Sequence, residues 1–175
     1  MEKWDLYTKD RIPTGETMER GTKCPKDGYR MVIHVCIFNA KGQMLIQQRQ
    51  SFKKGWSNLW DITVGGHAVA GDSSRTAAER EVLEEIGYAI SLQDKRPVLT
   101  VNFENGFDDF YLVKQDLDIE KLTLQYEEVQ AVRWAEKEEI LAMIDAGTFI
   151  PYHKPLIELL FAMRERADAH FRSDR

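Results

Sequence analysis
Two cysteines in 175 residues, Cys24 and Cys36, leave no material for a disulfide framework. Cys36 sits inside an apolar run, where a thiol packs as a small hydrophobe. A reducing, cytoplasmic setting is the expectation. Long apolar runs are missing as well: no stretch approaches the roughly 20 residues that a membrane span needs, and the opening MEKWDLYTKD has no apolar secretion segment. No membrane partner is expected. Positive charge is in deficit, with 24 Lys and Arg against 29 Asp and Glu for a net charge of −5, so a nucleic-acid polymer is a poor partner. Repeats and low-complexity tracts are absent too. What remains is globular composition, 43% hydrophobic and 30% charged, at a length that suits one domain over 1–175 rather than two cores.

The pattern of the chain predicts strands mixed with three helices. Trp4–Thr8 reads as a short strand, followed by a turn at 10–15 and a loop closing at Gly28. Met31–Phe38 is apolar on both alternating faces apart from His34, as in a strand covered on both sides. A turn at 39–42 and a half-exposed strand at Gln43–Arg49 make a hairpin with it. A polar loop at 50–57 leads to a strand at Trp60–Val64, and Gly65-Gly66-His67 reads as loop. Asp72, Ser73 and Ser74 offer N-caps for a helix that Gly87 would stop near Ile86. Pro97–Glu104 and Phe107–Lys114 are strands joined at Asn105-Gly106, a strong hairpin signal. Glu127–Trp134 reads as a strand, and Glu136–Ala146 and Pro155–Phe171 as helices. The last either packs on the domain or serves a homodimer interface, and Arg172–Arg175 is expected to fray. Several hairpins with segregated helices give an α+β fold rather than a doubly wound parallel sheet.

Helical spacing from Ser74 to Ile86 puts Glu81, Glu84 and Glu85 in one sector, at i, i+3 and i+4, beside an apolar stripe of Ala78, Val82 and Ile86. Clustered carboxylates repel by a few tenths of a kcal/mol per pair, roughly, so a cation is the natural occupant. Oxygen-only ligands point to hard Mg²⁺ or Mn²⁺ rather than zinc. The helix is entered through a glycine loop that allows close approach of a ligand, and Arg80 can fix a carboxylate or meet a phosphate oxygen.

Gly66, Asp72, Arg80-Glu81, Val82, Glu84-Glu85, Gly87 and Tyr88 stand at the spacings of the Nudix box, and the segment 66–88 resembles it closely. Two positions depart. Asp72 stands where the family has Glu, one methylene longer, and Tyr88 where an aliphatic is usual. The resemblance implies a Nudix-type α/β/α sandwich with a mixed β-sheet between helices, an N-terminal β extension at 1–30 and a C-terminal helix at 155–171. It also implies a hydrolase that cleaves the pyrophosphate bond of a nucleoside diphosphate-linked or related small substrate. Carried over by position, Glu81, Glu84 and Glu85 would hold the metal, the Gly65 carbonyl would add a ligand, Arg80 would hold the glutamates and Asp72 would help position them. The general base is left open among Glu81, Glu127 and Glu128. Arg49 lies where Nudix hydrolases often place an arginine that reaches substrate phosphate, and Lys53 and Lys54 are weaker candidates. Trp60 is the preferred pocket wall among Phe52, Trp56, Phe107 and Tyr111. Asp108-Asp109 would approach the metal site or sit at an edge.

A second resemblance runs beyond the box. Leu6–Asp10, Pro13–Gly15, Phe38–Gln43 and Trp60 ahead of Gly66-His67 are similar to isopentenyl-diphosphate isomerases, Nudix-fold enzymes that move a double bond with a cysteine and an acid. Their cysteine precedes the Gly-His pair, where this chain has Gly65. His67 matches one of their metal ligands, but Tyr29 and Arg30 stand where further histidines are expected. They also lack the full glutamate set seen here. A Nudix ligand-binding module without catalysis is the third reading, against which the three intact glutamates speak.

Overall fold
The computed structural model describes residues 1–170. Its spine is β3 (Arg30–Phe38), which pairs in parallel with β8 (Gly106–Lys114) along its whole length, from Arg30↔Gly106 to Phe38↔Lys114. β8 in turn pairs with β7 (Leu99–Phe103) through the Asn105-Gly106 hairpin. One face of β3, with Ile33, Val35 and Ile37, packs on Ala77, Ala78, Val82 and Ile86 of α1 (Ser74–Ile86). The other face, with Cys36 and Phe38, packs with Ile140 of α2 (Lys137–Asp145) and Ile157, Leu160 and Phe161 of α3 (Lys154–Met163). Burial on both faces is why Met31–Phe38 is apolar apart from His34, and each fully buried aliphatic stabilises by about 1.5–3 kcal/mol. The result is the expected α+β sandwich with a mixed sheet between helices.

The expected β3–β4 hairpin is paired only at its root, Phe38↔Met44. Beyond it, β6 (Val64–His67) takes the antiparallel edge of β3, from Val35↔Val64 to Val32↔His67. β4 (Met44–Arg49) turns instead to β5 (Trp60–Asp61) and β9 (Val129–Ala135). Thr63, fully buried, ties the base of the split by accepting from Ile37 N–H and donating to the Leu45 carbonyl. The two halves of the sheet therefore fan apart.

Several sequence expectations are corrected. Gly65-Gly66-His67 is not a loop but the end of β6, because its backbone groups complete the ladder of β3 where no side chain is needed. A strand β2 (Pro13–Glu19) pairs with β1 (Lys3–Tyr7) where only a turn and loop were read. All of β2 except Met18 is exposed, so it carries no alternating signal. β4 is buried at Met44–Gln47 rather than half-exposed, since both its faces are covered. A 3-10 turn at Ile119–Lys121 was not anticipated. α3 ends at Met163 instead of Phe171, since Phe161 is its last buried side chain. Phe171 and Arg172–Arg175 lie outside the described residues.

Candidate active site
Where β3 and β4 part, a cleft of about 490 Å³ opens, walled by β3 and β6 on one side, β4 and β5 on another, and the polar face of α1 on a third. α1 is fixed at both ends. Ser73 accepts from Thr76 N–H at 3.1 Å and donates its own N–H to Thr76 Oγ1 at 2.9 Å, while Gly87 closes the helix at φ 66°. Its glutamates are thereby aimed at the cleft.

Arg80 is the hub of this wall. Its Nε donates to Asp72 Oδ2 at 3.0 Å, Nη1 to Glu81 Oε1 at 2.9 Å and Glu84 Oε2 at 3.1 Å, and Nη2 to the His67 carbonyl at 3.1 Å. Asp72 reaches the guanidinium despite its shorter side chain. Glu81 lies against β6: a Cβ on Gly66 would fall 2.4 Å from Glu81 Cδ, so any side chain there would displace this carboxylate. Burial raises the Glu81 carboxyl to about 7, against the pull of Arg80. Glu85 is 4% exposed, and the one hydrogen-bond partner of its carboxylate among the described residues is the neutral amide of Gln47, at 2.9 Å. Burial raises Glu85 well above the ordinary range, and the charges of Glu81, Glu128 and Asp61 add to this. Glu84 is more exposed and paired with Arg80 alone.

Among the described residues, no three carboxylate or imidazole groups converge as they stand to enclose an ion. Arg80 supplies the positive charge between Glu81 and Glu84, and no cationic side chain reaches Glu85. The donor set nevertheless suits a hard divalent cation: oxygen ligands that share one cleft, the deepest of them buried with only a neutral partner.

Gly65, Arg49, Lys53, Glu128 and His67 also line the cleft. Arg49 Nε donates to the Gly55 carbonyl at 3.2 Å, and Lys53 is paired with Glu128 at 2.5 Å. His67 stacks on Trp4, with ring centroids 3.9 Å apart, and burial with Arg30 and Arg20 lowers it to about 4, so it is neutral near pH 7. Other candidates fall outside. Glu127 is exposed away from the cleft. Trp60 is not a cleft wall either, since Arg133 lies 4.9 Å over its ring, and Trp56 faces the cleft instead. Phe107 and Tyr111 belong to the core, and Phe52 packs at a tilt against Tyr126. Lys54 is exposed.

Position 65, where the isomerases carry their thiol, has no room for one. A Cβ there would lie 2.7 Å from the His34 ring. His34 is itself part of a chain that sequence reasoning did not find. Its Nδ1 meets Asp108 Oδ1 at 2.5 Å, its Nε2 meets the Tyr152 hydroxyl at 3.2 Å, and that hydroxyl donates to Asp61 Oδ1 at 2.8 Å. Burial disfavours charge on His34, but the hydrogen bond and charge of Asp108 outweigh it and raise the imidazole overall. Also unforeseen were Glu2 and Arg20, which the N-terminal hairpin brings to the cleft. No local signal marks these residues, since their partners are far away in sequence.

Comparison with known proteins adds the following. Residues 28–160 match the NUDIX domain family. An uncharacterized Nudix hydrolase of Listeria monocytogenes is 46% identical over 171 residues, covering 98% of this chain and 100% of that protein. An isopentenyl-diphosphate Delta-isomerase of Escherichia coli is 26% identical over 148 residues, covering 81% of this chain and 80% of its own. A crystal structure of a Deinococcus radiodurans protein superposes with a TM-score of 0.73 at 23% identity, covering 91% of this chain and 97% of that one.

Proposed function
The chain belongs to the Nudix family, and on that premise we propose that it hydrolyses the pyrophosphate bond of a small nucleoside diphosphate-linked or related substrate, using Mg²⁺ or Mn²⁺. A pyrophosphohydrolase-type activity follows from the family; the substrate, the metal and the residue roles are the proposal. Glu81, Glu84 and Glu85 would hold the cation, with the Gly65 carbonyl as a further donor. Bound there, the cation would neutralise diphosphate oxygens and stabilise the charge that develops on the leaving phosphate. The observation that carries the reading is the state of Glu85: a carboxylate at 4% exposure that faces an acidic cleft with only Gln47 to satisfy it. A buried charge left that way is costly unless a proton or a cation joins it.

The chain's own residues supply the rest. Arg80 fixes the orientation of Glu81 and Glu84 and ties both to β6 and the Asp72 loop. Arg49 presents positive charge to phosphate oxygens from the opposite wall, where Lys53 is paired with Glu128. Trp56, on the same wall, offers an apolar surface to whatever is linked to the diphosphate. The similarity to an isomerase favours a second reading, in which the diphosphate is held but not cleaved. The lack of space for a thiol at Gly65 speaks against that chemistry.

The test is a panel assay with Mg²⁺ or Mn²⁺ on nucleoside di- and triphosphates, ADP-ribose, dinucleoside polyphosphates, sugar nucleotides, coenzyme A and isopentenyl diphosphate. The expected result is metal-dependent release of a monophosphate product, abolished by EDTA. Glu84→Gln and Glu85→Gln should each lower turnover by roughly a hundredfold or more while leaving the circular-dichroism melt intact. An allylic product from isopentenyl diphosphate, or near-normal turnover in both variants, would overturn the assignment.

A further inference from the structure
A hydrolase needs a group that takes the proton of the attacking water. The α1 carboxylates are committed to the cation in the reading above, on which this inference rests. Glu128 is neutralised by Lys53 at 2.5 Å, and Glu127 lies outside the cleft. Glu2 is taken at both oxygens, accepting from Trp4 Nε1 at 2.6 Å and from Arg20 Nη1 at 3.1 Å, which leaves one cleft carboxylate, Asp61, without a role.

Asp61 sits on β5 beside Gln47, at 4% exposure, and lines the cleft. Its Oδ1 is saturated, accepting from the Tyr152 hydroxyl at 2.8 Å and from Ile62 N–H at 2.8 Å. Its Oδ2 accepts no hydrogen bond from the described residues; the nearest cation, Arg49 Nη1, stands 3.9 Å away. The carboxylate is thus locked by one oxygen and offers the other. The lock is itself supported, because Tyr152 touches His34, and His34 is gripped by Asp108 and stacked on Phe110 at 4.9 Å. Four polar residues, Asp61 buried and His34, Tyr152 and Asp108 half-buried, joined in one line along a cleft wall with one carboxylate oxygen left free, are expensive to keep for stability alone.

We propose that Asp61 is the general base of the hydrolysis, held in register by Tyr152, with His34 and Asp108 as positioning residues that fix Tyr152. The water oxygen forms its bond to phosphorus as its proton passes to Asp61 Oδ2. The bridging P–O bond breaks, and its electron pair leaves on the departing phosphate. The proton on Asp61 then returns to solvent or to that phosphate. Burial raises the carboxyl of Asp61 above its ordinary value, which brings it closer to the range where a base works near neutral pH.

Asp61→Asn and Tyr152→Phe in the full chain test this with the panel substrate that the wild type cleaves, and with imidodiphosphate as a non-hydrolysable binding probe. Asp61→Asn should lower kcat by roughly 10²–10⁴-fold, leave imidodiphosphate binding within about threefold, and remove the acidic limb of the pH profile. Tyr152→Phe removes a hydrogen bond that favours the ionised carboxylate, so the acidic limb should move to higher pH with a smaller loss of kcat. Near-normal kcat in Asp61→Asn overturns the proposal while the hydrolase reading stands. So does an acidic limb that Tyr152→Phe leaves unmoved, which decides the matter if Asp61→Asn fails to fold. A wild type that cleaves no panel member overturns the hydrolase reading itself, and this inference falls with it.

Discussion

Asp108 and Asp109 are neighbours on β8, yet strand alternation sends their carboxylates to opposite faces of the sheet and into opposite kinds of cluster. Asp109 is fully buried and fully answered: Arg11 donates to both its oxygens at 2.9 and 2.7 Å, and Ser74 and Thr100 each add a bond at 2.6 Å. That clasp joins the turn of the N-terminal hairpin, the start of α1 and the edge strand β7. Among the described residues the Asp108 carboxylate has one partner, His34, and the chain it begins ends on an oxygen of Asp61 that accepts no hydrogen bond in the cleft. The same residue type thus builds a closed knot on one face and an open line on the other. A closed knot has nothing left to offer a ligand, so its worth lies in stability. An open line is worth its burial only if something binds or reacts at its free end.

The strongest way to break this comparison is to remove each carboxylate in turn. Asp109→Asn leaves a half-buried guanidinium without its anion, and should lower the unfolding free energy by about 2–3 kcal/mol, read from urea midpoints at constant m. Asp108→Asn should cost about 1 kcal/mol or less, and instead lower kcat. If the two losses came out reversed, the division between fold and function would be wrong. Acid titration sharpens the contrast. Burial works against the charge of Asp109, but Arg11, Ser74 and Thr100 outweigh it and hold the carboxyl below its ordinary value. A depressed acid contributes its stability above the unfolded value, about 4, and loses it as pH falls through the folded one. The stability gap between wild type and Asp109→Asn should therefore be full at pH 6 and shrink as pH falls below about 4. Asp61 runs the other way, since a raised acid penalises the folded state once it is ionised. Asp61→Asn should leave the protein as stable as wild type or more so at pH 7–8, while losing turnover.

The same contrast separates what the sequence disclosed from what it hid. α1 was legible because its signals are local: Ser73 and Gly87 mark its ends, and Glu81, Glu84 and Glu85 fall on one sector by helical period alone. β3 was legible because burial on both faces leaves a run that is apolar but for His34, and β7–β8 because Asn105-Gly106 names its own turn. The splaying of β3 from β4 was not, since it depends on β6 competing for the same edge, and β6 is written in glycines that read as loop. β2 was hidden by its exposure. In the site, the Arg80 wall was within reach because its members span only His67 to Glu84. The Asp108–His34–Tyr152–Asp61 line was not, since its contacts link positions 74, 118 and 91 residues apart. In the sequence His34 stands out only as the one polar side chain in the apolar run Met31–Phe38, which is silent about where its hydrogen bonds lead.

Smaller changes grade the closed knot. Arg11→Lys keeps the charge but gives up the two-pronged grip on Asp109, for an expected loss of about 1 kcal/mol. Thr100→Val is the mildest test. Thr100 stands directly opposite Asp109 on β7, and its hydroxyl is one of several donors to a carboxylate that keeps both bonds from Arg11 and the one from Ser74. Valine preserves the shape and suits an edge strand. The charged acceptor loses one donor but is not orphaned, so the cost should be about 0.5–1 kcal/mol, a shift of a few degrees in a thermal melt. Because the knot does not touch the cleft, kcat and KM of this variant should match wild type. A Thr100→Val enzyme with an intact melt but altered kinetics would mean that the two faces of β8 communicate, and that the closed cluster is not closed.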